Sequence, residues 1–205
     1  ISVYPMVYVN GAPTITTSSI GFNILNCPSF NYVSILESSA NTVGGVTTTT
    51  TATTRVNKSA STGNTAYSEA KASPLVAYTY TLTPYNVLDQ AGAAVTVGPY
   101  SAVPTVTSTG ITITGTTLST TFSSATTFHN VSVALVTGGS VGSTTTLARG
   151  LTSYTDPATA FYADTSYTYV ITPYNATATA GTAISTTAVS PATAVALGTP
   201  SISTS

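Results

Sequence analysis

The chain has 205 residues, and only 4% of them are charged, with four Lys or Arg, five Asp or Glu, one His and one Cys. Soluble domains usually carry about 25% charged residues, so this chain has too few cations for a nucleic-acid interface and too few carboxylates for a calcium cage. Hydrophobic residues make up 42% of the chain and Thr plus Ser roughly a third, a composition that favours strands over helices and over disorder.

The first eleven residues, ISVYPMVYVNG, form an apolar arm that is expected to make a strand. Two arrangements remain open for it. The arm packs on its own domain, or it adds to a sheet edge of a neighbouring subunit, a contact that does not close and gives filaments. The side chains that would carry this assembly are Val3, Val7, Tyr8 and Val9. The chain starts at Ile1 instead of Met, which we interpret as a mature product or a trimmed chain.

Short segments rich in Val, Ile, Thr, Tyr and Phe predict strands at the spacing of a β-sandwich. In the first half of the chain the predicted strands are Thr14–Ser18, Ile20–Asn26, Phe30–Glu37, Tyr78–Pro84 and Ala93–Val97. In the second half they are Ile111–Thr114, Leu118–Phe122, Phe128–Val136, Tyr167–Pro173 and Ala183–Val189. The stretch Val46–Asn64 has the composition of a long Thr/Ser-rich insertion between strands.

Two segments of the chain repeat each other. Residues 78–92 read YTYTLTPYNVLDQAG and residues 167–181 read YTYVITPYNATATAG. The two copies are 89 residues apart, which is the size of one small β-sandwich domain. The sequence therefore predicts a tandem duplication, with an N-terminal arm at residues 1–11, a first domain at 12–103, a second domain at 104–197 and a C-terminal tail at 198–205.

The segment 165–175, TSYTYVITPYN, resembles the penultimate-strand signature of fibronectin type III modules, and residues 78–86 match it nearly as well. The resemblance implies an all-β fold of two tandem fibronectin type III-like or immunoglobulin-like sandwiches. It also implies that Tyr78 and Tyr167 are tyrosine corners, whose hydroxyls bond to nearby backbone. Two features depart from the family pattern: the chain has no Trp, and the first copy carries the Thr-rich insertion.

Motifs with catalytic potential are few. Gly138-Gly-Ser140-Val-Gly142 fits the G-x-S-x-G pattern of hydrolases, but that motif needs an acid and then a His further along the chain, and the single His129 precedes it. We interpret the motif as a Gly/Ser-rich hairpin loop. Asp156 and Asp164 flank one loop and are interpreted as a turn initiator and a local backbone cap. The sequence predicts no catalytic, cofactor or metal site.

Three N-x-S/T sequons could accept sugar. Asn57 is the best placed, because it lies in the Thr-rich insertion, which itself resembles an O-glycosylated stretch. Asn175 lies in the turn after the second tyrosine strand, and Asn130 falls within a predicted strand. Attached sugar would supply the solubility that charge does not, so we expect a glycoprotein.

Low charge with hydroxyl-rich outer positions favours a structural role, because a free monomer normally uses charge for solubility and to block edge pairing. We expect a non-enzymatic subunit of an extracellular or cell-surface fibre that needs no cofactor and whose partners are copies of itself and glycans. No stretch reaches the roughly 18 apolar residues of a membrane helix, so membrane insertion is not expected. Two alternatives remain: a virion capsid-associated or fibre protein, and a carbohydrate-binding adhesin module in which Tyr85, Tyr162 and Tyr174 stack on sugar rings.

Overall fold

The computed structural model describes residues 4–60, 63–70, 72–115, 117–123, 126–157, 161–162 and 165–191. Val3, Asp164 and the tail at 198–205 lie outside these residues. Within them the secondary structure consists of strands without helices. The strands are β1 (Val9–Ile15), β2 (Ile20–Leu25), β3 (Tyr32–Val43), β4 (Val46–Asn57), β5 (Asn64–Glu69), β6 (Ala77–Tyr85), β7 (Val95–Tyr100), β8 (Ser108–Thr114), β9 (Thr117–Phe122), β10 (Asn130–Thr137), β11 (Ser140–Leu147), β12 (Ser153–Thr155), β13 (Tyr167–Tyr174) and β14 (Ile184–Ser185).

The strands form four antiparallel sheets, two in each half of the chain. The first half has a sheet of order β1-β2-β5 facing one of order β4-β3-β6-β7. The second half has the same plan, with the orders β12-β9-β8 and β11-β10-β13-β14. Each half is a β-sandwich with its own hydrophobic cluster. The prediction of two tandem all-β sandwiches is therefore confirmed.

The two tyrosine strands, β6 and β13, supply the centre of each core. Their residues alternate strictly between buried and partly exposed positions, as a strand with one face toward a core requires. Tyr80 and Leu82 in β6, like Tyr169 and Ile171 in β13, are fully buried. Burying a side chain of this size contributes about 1.5–3 kcal/mol, so these four positions hold the facing sheets together.

Both predicted tyrosine corners are present. The Tyr78 hydroxyl accepts a hydrogen bond from Ser73 N at 3.1 Å. The Tyr167 hydroxyl accepts one from Tyr162 N at 2.8 Å. In each case the donor lies five residues before the tyrosine, so the same loop geometry precedes β6 and β13.

The N-terminal arm packs on its own domain. Val7 is only 2% exposed and belongs to the first hydrophobic core, and Tyr8 O accepts a hydrogen bond from Leu25 N at 2.9 Å. Val9 begins β1, which runs across residue 11 and pairs with β2. The structure thus adopts the intramolecular alternative, because Val7 cannot fill its own core and a neighbour's core at once. A domain boundary at residue 11 falls inside a strand, so the first sandwich begins earlier than predicted.

The repeat shows where the first sandwich begins. A Cβ atom on Gly92 would overlap the backbone oxygen of Pro5, and a Cβ atom on Gly181 would overlap that of Pro104. Both glycines therefore allow the entering strand of their own domain to approach closely. Pro5 is the structural counterpart of Pro104, and residues 5–11 belong to the first domain.

The interpretation of Val46–Asn64 as an insertion is wrong. Its first twelve residues form β4, which pairs with β3 at every position from Val46 to Asn57. The two strands are joined by Gly44 and Gly45, whose φ angles are +57° and +80°, the conformation of a two-residue hairpin turn. The Thr run hides the alternation that marks a strand, but its β-branched side chains suit one. Elsewhere β1 ends at Ile15, so the strand predicted at Thr14–Ser18 is displaced.

Candidate assembly surface

The most exposed regular element is β4, the edge strand of the first domain's four-stranded sheet. Eleven of its twelve residues are exposed, and only Val56 is partly buried. Natural edge strands are commonly protected by charge, proline or a bulge. β4 contains no proline, its single charge is Arg55 near its end, and its pairing with β3 has no register shift. One side of the strand therefore presents unprotected backbone N–H and C=O groups.

Hydroxyl pairs hold the β3–β4 hairpin in an extended form. Ser39 Oγ lies 2.6 Å from Thr50 Oγ1, and Thr42 Oγ1 lies 2.8 Å from Thr47 Oγ1. Cross-strand pairs of this kind contribute about 0.2–1 kcal/mol each. They keep the edge ordered up to its turn, so an incoming strand meets a preformed template.

The corresponding edge of the second domain is β11. It has no charged residue, but it is shorter than β4, and its pairing with β10 shifts register between Ala134 and Val136. Ser140 of the G-x-S-x-G motif begins this strand, directly after Gly138 and Gly139, both with positive φ. The motif lies in a β-hairpin, as predicted, but only Gly138 and Gly139 form the turn, and Ser140 to Gly142 belong to the strand. β11 is a weaker pairing template than β4.

An ordered aromatic stack lies on the outer face of the first domain. The rings of Tyr32 and Tyr85 are parallel within 4°, with centroids 4.8 Å apart. The Arg55 guanidinium carbon lies 3.7 Å from the Tyr32 centroid on the neighbouring strand. Desolvation, and then the Asp89 carboxylate that bonds to its hydroxyl, raise the pKa of Tyr32. One face of Tyr85 is thus occupied by Tyr32 and is not available to a sugar ring.

The other two tyrosines of the adhesin alternative differ from each other. Tyr174 is partly buried at the end of β13, opposite Asn130. Tyr162 is 70% exposed. Of the three candidates, Tyr162 alone offers most of its ring to solvent.

Two carboxyl groups that the sequence did not single out meet between the sheets of the first domain. Glu37 of β3 and Glu69 of β5 share a side-chain hydrogen bond, and burial followed by the Glu69 charge raises the pKa of Glu37. The Tyr80 hydroxyl donates to Glu69 Oε2 at 2.7 Å. Burial, and then the two carboxyl groups, raise the pKa of Tyr67 to about 12. The sequence did contain a signal for Glu37. It follows Val33 and Ile35 at alternate positions of β3, so its side chain lies on the strand's inward face.

The two domains meet in a joint that contains several hydrogen bonds. Ala176 N donates to Pro74 O at 2.8 Å. Arg149 Nη1 donates to Asn41 Oδ1 at 2.6 Å and to Thr42 O at 2.7 Å. Asn41 and Thr42 lie near the tip of the β3–β4 hairpin, beyond the last residue of β3 that pairs with β6. The long hairpin therefore serves both as an exposed edge and as a strut against the second domain.

Asn175 lies at the centre of the joint, and this contradicts its prediction as a glycosylation site. It is 3% exposed, and its Nδ2 donates to Ser101 O at 3.3 Å and to Ala102 O at 3.2 Å. A glycan on this nitrogen would replace one of its two N–H donors, and at 3% exposure the side chain leaves no space for a sugar. Sequence reasoning missed the burial because it arises from contact with residues more than seventy positions away.

The remaining predicted residues are placed as follows. Asn57 is exposed at the end of β4, and its Oδ1 accepts from Arg55 Nε at 3.1 Å. Asn130 is partly buried at the start of β10. Tyr8 is exposed, and its hydroxyl donates to Met6 Sδ at 3.5 Å. Asp156 is buried; burial and then the Asp156 charge raise the pKa of Tyr169.

Two other kinds of feature are absent from the described part of the chain. It holds no group of three or more His, Cys, Asp or Glu side chains that could bind a metal ion. It also has no helix of the length and apolarity needed to cross a membrane.

Comparisons with known proteins bear on the fold. No protein-family model matches the sequence, and the search of curated proteins gives no significant match. Among solved structures, a two fibronectin type III domain segment from chicken tenascin matches with a TM-score of 0.58 and 13% identity, over 91% of this chain and 98% of that chain. The FN1–FN3 domains of chicken CNTN1 match with a TM-score of 0.37 and 11% identity, over 94% of this chain and 68% of that chain.

The tenascin match extends over both sandwiches and, at its low identity, concerns the fold alone. It agrees with the two tandem β-sandwiches that the strand orders of both halves define. The chain therefore has the fold of two tandem fibronectin type III domains.

Proposed function

We propose that this chain is a non-enzymatic structural subunit of an extracellular or surface fibre and that it associates with copies of itself through exposed β-edges. The observation that supports this proposal is β4, a twelve-residue edge strand with eleven exposed residues and no charge before Arg55. An exposed, long and regular edge is a template for pairing with another chain.

The strength of such pairing can be estimated from the length of β4. Alternate residues of an antiparallel strand direct both backbone groups to one side, so a fully paired β4 edge would gain about ten hydrogen bonds. At about 0.5–1.5 kcal/mol net for each bond, the gain is about 5–15 kcal/mol, close to the cost of about 4–15 kcal/mol for association. Lateral pairing should therefore be reversible and depend on concentration.

The experiment compares the wild type with an edge-blocked variant, Thr49→Lys/Thr51→Lys. Both residues are exposed on β4, so the substitutions add charge to the edge without disturbing a core. The control, Thr117→Lys/Thr121→Lys, adds the same charge at two exposed positions of the central strand β9. Sedimentation velocity and negative-stain imaging should show large assemblies for the wild type and the control, and loss of lateral association in the edge-blocked variant. A wild type that stays monomeric at high concentration would refute the proposal.

Glycosylation belongs to this proposal at Asn57, which is exposed beside the β4 edge. Sugar there would cover the end of the edge strand and add solubility. Intact mass spectrometry of the native protein tests it, because a mass equal to the sequence mass of 20.6 kDa excludes any glycan. Images of the native material also distinguish a free fibre from a virion component.

A carbohydrate-binding adhesin is the second candidate, and the exposure of Tyr162 favours it. An exposed tyrosine ring can stack on a sugar. A glycan array would reveal such binding, and Tyr162→Ala should abolish it. An array without any bound glycan would remove this candidate.

A further inference from the structure

The internal duplication relates the joint between the two domains to the corresponding loops that lie outside the joint. On the second domain's side, the joint uses the turn after β13, where Ala176 N donates to Pro74 O. On the first domain's side it uses the tyrosine-corner loop, where Ser101 Oγ also donates to Ser73 O at 3.3 Å and to Pro74 O at 3.2 Å. Each of these loops has a counterpart in the other domain: the turn after β6 corresponds to the turn after β13, and the segment at Tyr162 corresponds to the segment at Ser73.

The counterpart of the turn after β13 is the turn after β6, and the two have the same conformation. Asn175 Oδ1 accepts from the backbone N–H groups of Thr177 and Thr179 at 3.1 and 2.9 Å. Asn86 Oδ1 accepts from those of Leu88 and Gln90 at 2.9 and 3.0 Å. A residue with φ of +58° lies three positions after each asparagine. The same loop is thus partly buried in the joint in one copy, where Asn175 is 3% exposed, and exposed beyond Asn86 in the other.

The free turn carries large apolar side chains. Val87 and Leu88 stand where the joint has Ala176 and Thr177, and they are 79% and 73% exposed. Tyr4, Met6 and Tyr8 of the arm are also exposed; the contact between Pro5 and Gly92 places the start of the arm at the base of this turn, and Met6 and Tyr8 follow beside Ala93 and Val95. These five exposed side chains are called the head patch: Tyr4, Met6, Tyr8, Val87 and Leu88. An apolar cluster of this kind on a soluble domain marks an interaction site.

The opposite end of the molecule carries the counterpart of the other joint loop. Ser73 and Tyr162 each donate the backbone hydrogen bond to their tyrosine corner, so Tyr162 stands where the joint has Ser73. Val141, next to the β10–β11 turn, is 67% exposed. Gly138 N of that turn donates to Ser166 O at 3.0 Å, which places Val141 and Tyr162 at the same end. These two side chains are called the tail patch.

We infer that the head patch of one copy docks on the tail patch of another copy and repeats the internal joint between molecules. The inference rests on the proposed self-association and adds an axial contact to the lateral one at β4. Different surfaces meet in such a contact, so it does not close and gives an open chain of subunits. None of the seven side chains is charged, so the contact between the two patches would be formed by uncharged side chains.

The β3–β4 hairpin is longer than the β10–β11 hairpin, and this difference explains the larger side chains of the two patches. β3 has 12 residues and reaches Arg149, whereas its counterpart β10 has 8 residues. The shorter hairpin of the second domain therefore cannot make, between two copies, the contact that Asn41 and Thr42 make with Arg149 inside the chain. Larger side chains stand at the equivalent positions outside the joint: Val87 for Ala176, Leu88 for Thr177 and Tyr162 for Ser73. They would supply apolar contact area where the hairpin contact is missing.

The test uses four proteins that share the edge-blocked background, so that lateral pairing does not add mass. The first is the edge-blocked parent, the head variant is Val87→Asp/Leu88→Asp, and the tail variant is Val141→Asp/Tyr162→Asp. All four substituted positions are exposed, and circular dichroism checks that the fold is kept. The fourth protein, Leu151→Asp, is a control that places one Asp at an exposed apolar position outside both patches.

Sedimentation equilibrium should show a series of linear oligomers for the edge-blocked parent and for the control. The head and tail variants should each associate at least about tenfold more weakly, as expected from a loss of about 1.4 kcal/mol or more, and remain monomeric. Mixed one to one, they should form dimers and nothing longer, because each variant keeps one intact end.

Several results would overturn the inference. One is an edge-blocked parent that is monomeric although the wild type assembles, and another is a head variant that forms oligomers as long as those of the parent. Oligomers of the tail variant without oligomers of the head variant would indicate head-to-head pairing and also overturn it. If the wild type itself does not assemble, the proposed function fails instead.

Discussion

Asn175 and Asn86 form a matched pair that tests how much the domain joint stabilises the protein. Both side chains cap the same turn through Oδ1. They differ in the partners of Nδ2. Asn175 Nδ2 donates to Ser101 O and Ala102 O, whereas Asn86 Nδ2 donates to Gln90 Oε1 at 2.9 Å. Replacing each with alanine therefore removes the same cap, and at Asn175 it removes the joint contacts as well.

The two changes should differ severalfold in their cost. Losing an asparagine cap to alanine where water replaces the lost bonds costs about 1 kcal/mol, which is the value expected for Asn86→Ala. Ser101 and Ala102 are 2% and 0% exposed, so Asn175→Ala removes a donor from two buried carbonyl groups. Such groups cost about 1–3 kcal/mol in addition. We expect a total of about 3 kcal/mol for Asn175→Ala.

Urea unfolding followed by near-ultraviolet circular dichroism measures both values. Because the chain has two domains, the transition is fitted with a separate step for each domain. Asn175→Ala should lower the midpoint of the second domain's step, and Asn86→Ala should affect the first domain's step by a smaller amount. Equal effects of the two substitutions would show that the joint adds no stability and would refute the reasoning.

Two further predictions concern charged groups. Arg149→Ala removes the strut between the domains, so small-angle scattering should show a larger maximum dimension, whereas the control Arg55→Ala should leave it unchanged; equal dimensions for both would contradict the strut. The pKa of Glu37 is raised above its ordinary value of 4.5, so the folded state binds its proton more tightly than the unfolded state. Stability is then lost as the pH rises from the ordinary pKa through the raised one. Glu37→Gln should therefore raise the melting temperature at pH 7 and change it little at pH 4; no gain at pH 7 would contradict this assignment.

The elements that sequence reasoning predicted correctly are those whose information is local. The tyrosine strands show strict alternation, and their repetition 89 residues apart is enough by itself to indicate two domains. The corner bonds of Tyr78 and Tyr167 follow from the same short segments. A strand with one buried face records its orientation in its own residues.

The features that were missed depend on distant parts of the chain. β4 consists largely of Thr, so nothing in its pattern reports that β3 pairs with all of it. Val7 is apolar, but the local sequence does not indicate whether it packs in the core of its own domain or in that of a neighbouring subunit. Asn175 matches a sequon locally and is buried by residues of the other domain. Glu37 and Glu69 meet because two sheets face each other.

The positions of the few charged residues indicate what charge does in this protein. Most of the charges in the described part of the chain have partners within the molecule: Glu37 with Glu69 between the sheets, Asp89 with Tyr32 on the outer face and Arg149 in the joint. Lys58 Nζ also donates to Cys27 O at 2.8 Å.

Charge in this chain therefore orders loops and domains, whereas residues 46–54 of the β4 edge and both end patches carry none. Edge strands of free monomers use charge to prevent pairing. A protein that places its few charges elsewhere leaves its edge and its ends able to meet other copies, and for this reason the composition and the geometry support the same proposal.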